Sequence, residues 1–148
     1  MATIDSKQIP EQLRLDNQVC FPLYSAANEV VRAYRPHLAE YDLSYLQYLV
    51  LMVLWEANEL EVKALGAKLN LDSGTLSPLL KRMEAKGLVL RKRGRIDERV
   101  RLISTTQKGE EIRHAATDIP QRVACQLGLD IDELTVLKRL CEKVLSVG

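Results

Sequence analysis

The chain has 148 residues, 47% hydrophobic and 28% charged, which suits one soluble globular domain with its own core. Its formal charge of +1 conceals a segregated pattern: between Lys81 and Arg101 nine basic residues face three acidic ones, so that stretch carries +6 and the rest of the chain −5. Three widely spaced cysteines and two histidines exclude a secreted disulfide framework, a CxxC pair and a zinc site, so neither a metal nor another cofactor is expected.

The leader Met-Ala-Thr-Ile-Asp-Ser-Lys-Gln lacks a basic start followed by an apolar run, so no signal peptide is expected. Leu23, Ala26, Ala27, Val30, Val31 and Tyr34 then recur at three and four residues, predicting an amphipathic helix that stops near Arg35-Pro36. Pro22 falls in its first turn, where a missing N–H costs least, and Cys20 falls at its N-terminus. Ser44 and Gln47 form a capping box for a second helix, whose many apolar residues through Trp55 mark it as the buried centre. The apolar run from Tyr45 to Trp55 is far short of the roughly 20 residues of a membrane span, so the expected compartment is cytoplasmic, with no membrane partner.

Val62, Leu65 and Leu69 predict a short helix, and Asn70-Leu71-Asp72 a turn. Asp72 or Ser73 caps the next helix, which buries Leu76, Leu79, Leu80 and Met83 and ends at Gly87. Pro78 lies inside it and predicts a slight bend. Leu88–Leu90 and Val100–Ile103 read as two strands joined by a loop with Gly94 at its tip. Thr106 caps a helix kinked at Pro120, and Asp130 with Glu133 starts a last one, on which Cys141 is assigned to the core.

Short helix, turn, capped helix and basic hairpin, in that order, describe a winged helix-turn-helix over about residues 60–104. The fold class is therefore mainly α with a small β-hairpin wing, one domain over residues 1–148. Helices over about 15–56 and 106–147 remain to build a helical dimer. The recognition helix offers Ser73, Thr75, Ser77, Pro78, Lys81 and Arg82 to double-stranded operator DNA, and the wing offers Arg93, Arg95, Asp97 and Arg99. Arg99 is the candidate for minor-groove insertion, with Asp97 orienting a nearby arginine. Two alternatives stay open: the basic face binds protein, and the hydroxyls of Ser73, Thr75 and Ser77 cap the helix rather than touch bases.

A thiolate, not a thiol, is the form that peroxides attack, and a helix N-terminus favours an anion. Cys20 therefore has a means of activation, with Tyr24 one turn away and the hydroxyls of Tyr34 and Tyr45 nearby in sequence. The other reading is a cysteine packed as a small hydrophobe among core tyrosines.

The segments Asp16-Asn17-Gln18-Val19-Cys20-Phe21 and Leu23-Tyr24-Ser25, then the run from Leu71 to Glu84 and Asp97-Glu98-Arg99, resemble the organic hydroperoxide resistance repressors, a branch of the MarR (multiple antibiotic resistance regulator) family. The resemblance extends from about Asp16 to Ser146, and Pro22 departs from the usual residue at its position. It implies a homodimer that represses a palindromic operator while reduced, with organic hydroperoxide as inducer and Cys20 as the sensing thiolate. It further implies that Tyr34 and Tyr45 hold that thiolate from the partner subunit. In the two-cysteine kind a second cysteine closes an intersubunit disulfide, and Cys125 matches that resolving position. A repressor released by a phenolic or apolar ligand is the alternative function, and an enzyme, a thiol peroxidase, is not expected.

Overall fold

In the computed structural model, which describes residues 8–148, the chain runs α1 (Cys20–Ala39), α2 (Tyr45–Ala57), β1 (Glu59–Glu61), α3 (Val62–Leu69), α4 (Ser73–Ala85), β2 (Val89–Arg93), β3 (Arg101–Thr105), α5 (Gln107–Ala115), α6 (Ile119–Gln126) and α7 (Ile131–Leu145). The start of the leader, read above for a signal peptide, lies outside the described residues. Among the described residues no helix is long and apolar enough to cross a membrane.

Helix α2 is the hub. Its first turn is closed by the expected box: Ser44 Oγ accepts from the Gln47 N–H, and Gln47 Oε1 accepts from the Ser44 N–H. Tyr48, Val50, Leu51 and Leu54 are almost wholly buried against α3, α4, β3 and α5. One side of α2 is thus core, while Leu46, Met52 and Glu56 remain exposed on the other.

The reading head follows from local chemistry. Asn70 takes the left-handed conformation at the C-cap of α3, and Asp72 Oδ1 accepts from the Thr75 N–H at 2.7 Å to start α4. Leu76, Leu79, Leu80 and Met83 turn inward, as the spacing predicts. Gly87, at φ +74°, ends the helix: its N–H donates to Glu84 O, and the Leu88 N–H reaches back to Met83 O.

Four expectations need correction. Helix α1 runs through Pro36 to Ala39, because Leu38, 1% exposed, anchors the last turn and offsets the donor that Pro36 withholds. The wing is not a lone hairpin but a three-stranded antiparallel sheet in the order β1-β3-β2, with Leu60 opposite Ile103. The predicted kink at Pro120 is a complete break between α5 and α6, since a proline in the second helical position starts a helix better than it continues one. Cys141 is half-buried on a helix with no buried residue, so it is outside the core.

Candidate DNA-reading face and thiol-sensing site

The exposed side of α4 is built by what its inner side buries. Once the four apolar residues face α2, the 100° helical step leaves Ser73, Thr75, Ser77, Pro78, Lys81 and Arg82 in solvent. Asp72 rather than Ser73 is the cap, which leaves the three hydroxyls outside the capping bonds. Pro78 sits inside the helix and withholds a donor from the Gly74 carbonyl.

Antiparallel pairing of β2 with β3 sets Arg93 directly opposite Arg101. Like charges in that position repel unless an anion lies between them. Arg91, one pleat back on the same face, is instead neutralised: its guanidinium lies 3.1 Å from the Glu84 carboxylate, whose pKa its hydrogen bond holds below the ordinary value. Beyond the strands Arg95, Asp97 and Arg99 are exposed, and Asp97 Oδ1 accepts from both the backbone N–H and the Nε of Arg99. Arg101 was absent from the expected contacts, although the alternation of β3 places it beside Arg93 once the register is known. The face joins α4 to the wing through a cleft lined by Ser77, Glu84, Arg93 and Arg101.

Cys20 is the first residue of α1 and is exposed. The N-cap residue, Val19, supplies no side-chain cap, and Pro22 offers no N–H, so the backbone donors and positive dipole end that an anion at residue 20 would meet come from the Cys20 and Phe21 amides. Tyr34 and Tyr45 pack with tilted rings, centroids 4.9 Å apart, and Tyr48 closes the cluster at 5.6 Å from Tyr34 and 6.4 Å from Tyr45. Burial pushes all three hydroxyls up, with the neighbouring phenols adding to the effect at Tyr34 and Tyr48, and Tyr48 reaches about 12. Each is therefore a fixed proton donor near neutrality.

The cysteine and the tyrosines do not meet within one chain. Tyr34 follows Cys20 by fourteen helical residues, roughly 21 Å along the axis. Cys125, exposed on α6, shares a surface cleft with His37, at the far end of α1. By the same rise it stands on the order of 25 Å from its own Cys20, well beyond the roughly 7 Å that a disulfide allows between alpha carbons.

Residues 32–116 match the family model described as transcriptional regulator SarA/Rot. The organic hydroperoxide resistance transcriptional regulator of Bacillus subtilis (strain 168) is 43% identical over 141 residues, spanning 90% of this chain and 96% of its own. Among solved structures, reduced AbfR bound to DNA is 34% identical with TM-score 0.75, covering 92% of this chain and 95% of its own. Overoxidized AbfR bound to DNA gives 33% and 0.75, covering 93% and 98%. AbfR with its disulfide formed gives 34% identity but a TM-score of 0.60, covering 93% and 91%. A cysteine-to-serine mutant of MarR from E. coli, complexed with operator DNA, is 26% identical with TM-score 0.78, covering 85% and 92%.

Proposed function

We propose, from the premise that this chain belongs to the MarR-type transcriptional regulators and is related to the organic hydroperoxide resistance regulators, that it is a cytoplasmic repressor which binds a palindromic operator as a reduced homodimer. Organic hydroperoxide then releases it through Cys20. The separation within one chain supports this reading: Cys20 is roughly 21 Å from Tyr34 and farther from Cys125, as expected if donors and resolving thiol are supplied by a partner. Two α1 helices packed antiparallel bring each Cys20 to the far end of the other.

In that arrangement Tyr34 and Tyr45 of one subunit donate to the Cys20 thiolate of the other. The thiolate attacks the distal oxygen of the hydroperoxide, the O–O bond breaks, an alcohol leaves after protonation, and Cys20 becomes a sulfenic acid. The Cys125 thiolate then attacks that sulfur, and hydroxide leaves as water once protonated. A disulfide now ties two helices that were apart, which shifts the reading heads off their half-sites.

The AbfR structures support the division of labour between oxidation and release. That protein is described on DNA both reduced and overoxidized, and this chain resembles those states more than the disulfide state. On this reading crosslinking, rather than oxidation as such, is the releasing event. On the DNA side Ser73, Thr75, Ser77, Pro78, Lys81 and Arg82 face the major groove, Arg99 enters the minor groove, and Arg93, Arg95 and Arg101 hold phosphates, with Asp97 orienting Arg99.

One equivalent of cumene hydroperoxide should convert reduced protein to a covalent dimer on non-reducing gels and abolish its operator shift. Cys125→Ser should oxidise at Cys20 yet give no covalent dimer. A covalent dimer that persists in Cys125→Ser overturns the pairing, and operator binding that survives full crosslinking overturns the sensor reading. Release by an aromatic ligand with Cys20→Ser intact in its response would favour ligand induction instead.

A further inference from the structure

Lys86 belongs by sequence to the basic stretch that faces DNA, yet its ammonium points elsewhere. At the C-cap of α4 it donates to the Asp42 carbonyl at 2.6 Å and to Gln47 Oε1 at 3.2 Å, with the Asp42 carboxylate at 3.5 Å. Two hydrogen bonds and one looser ion pair thus surround the ammonium. All the acceptors lie on the loop between α1 and α2 or on the first turn of α2.

The two hydrogen-bond acceptors are themselves held in place. Gln47 is 4% exposed, and the same Oε1 that takes the Lys86 proton closes the capping box of α2. Asp42 is held at φ +53°, and the adjacent Tyr41 hydroxyl reaches Ala115 O at the end of α5. From the other side, Lys108 Nζ donates to Lys86 O at 2.9 Å, and Thr106 Oγ1 donates to Gly87 O at 2.6 Å. Tyr45, the first residue of α2, stands two residues before Gln47 and in the tyrosine cluster.

We propose that Lys86 is a positioning residue that fastens the C-terminal end of the recognition helix to the start of α2, so that displacement of Tyr45 is transmitted to α4. This rests on the peroxide-sensing reading above. The reader's pose is then set at two places: by the apolar packing of α4 on α2, and by this charged junction. Packing tolerates a small slide, whereas hydrogen bonds to a fixed carbonyl and a capping amide do not.

The test compares operator binding of reduced and cumene-hydroperoxide-treated protein for wild type and Lys86→Met, at several salt concentrations, with the crosslinked fraction measured on the same samples. Lys86→Met is expected to shrink the ratio of reduced to oxidised affinity about tenfold, by weakening the reduced form. Its log–log salt dependence should match wild type, because no phosphate contact is lost. A slope lower by about 0.9 would make Lys86 a phosphate ligand and overturn the proposal. An unchanged ratio in Lys86→Met, with wild type responding, also overturns it while leaving the sensor intact. A wild type that crosslinks without losing affinity overturns both. Should Lys86→Met unfold, Lys86→Gln, too short to span the junction, is read in the same way, and Lys86→Arg is expected to restore the wild-type ratio.

Discussion

Tyr48 is 2% exposed and packed between Tyr34, Tyr45 and, edge-on at 6.3 Å, Trp55. Its phenol is raised to about 12 from the usual 10, chiefly by burial, so the folded state favours the protonated form. The stability this contributes is fully present below pH 10 and is lost as pH rises toward 12, and the raised hydroxyls of Tyr34 and Tyr45 act in the same direction. The melting midpoint of wild type should therefore fall between pH 10 and 12, and Tyr48→Phe should flatten that fall. A wild-type midpoint level up to pH 12 contradicts this account. Gly109, at the other end of the Trp55 side chain, shows the same tightness in a different form: its carbonyl accepts from Trp55 Nε1 at 3.0 Å, and a Cβ there would lie 2.6 Å from Leu88 O. Only glycine lets α5 approach the head so closely.

Helix α4 depends on its ends more than most, because Pro78 removes one of its interior bonds. Asp72→Ala is expected to cost about 1 kcal/mol of unfolding free energy, measured by denaturant titration, since the Thr75 N–H then has no side-chain acceptor. Operator affinity should fall with it. Equal stability of the variant and wild type would show that solvent replaces the cap without loss. Elements of this kind were legible in the sequence because their signals are local: Ser44 with Gln47, Asp72, Gly87, Thr106 and Asp130 all act within one turn. The position of Cys20 at a helix start was legible for the same reason. What escaped was non-local. Strand β1 is three residues with an exposed-partly buried-exposed pattern, and it exists only because β3 offers it a partner some forty residues later. The run of α1 through Pro36 was decided by burial of Leu38, and the reach of Lys86 to Asp42 by a fold that joins positions 44 residues apart. Periodicity carries none of these.

At the scale of the whole molecule, two apolar faces are left uncovered among the described residues. On α7 Leu137, Leu140, Val144 and Leu145 are 42–64% exposed. Near the start of α1 Val19, Phe21, Leu23 and Tyr24 are similarly bare. Clustered exposed apolar side chains of this kind mark an association site, and in the proposed dimer their occupant is a second copy. Leu140→Glu combined with Val144→Glu should yield a monomer by light scattering, with operator affinity down about hundredfold because two half-sites are no longer bound as one. A dimeric double variant would place the interface elsewhere.

The wing's anchorage has a mechanical consequence. β3 is the middle strand, with five residue pairs to β2 on one side and three to β1 on the other, and β1 leads directly into α3 while α2 precedes it. The base of the arginine-bearing wing is consequently tied into the head and is not a separate arm. In the proposed dimer, groove-probing helix and wing are tied to the same head, so a disturbance arriving through α2 alters the gauge between the two heads more than the shape of each.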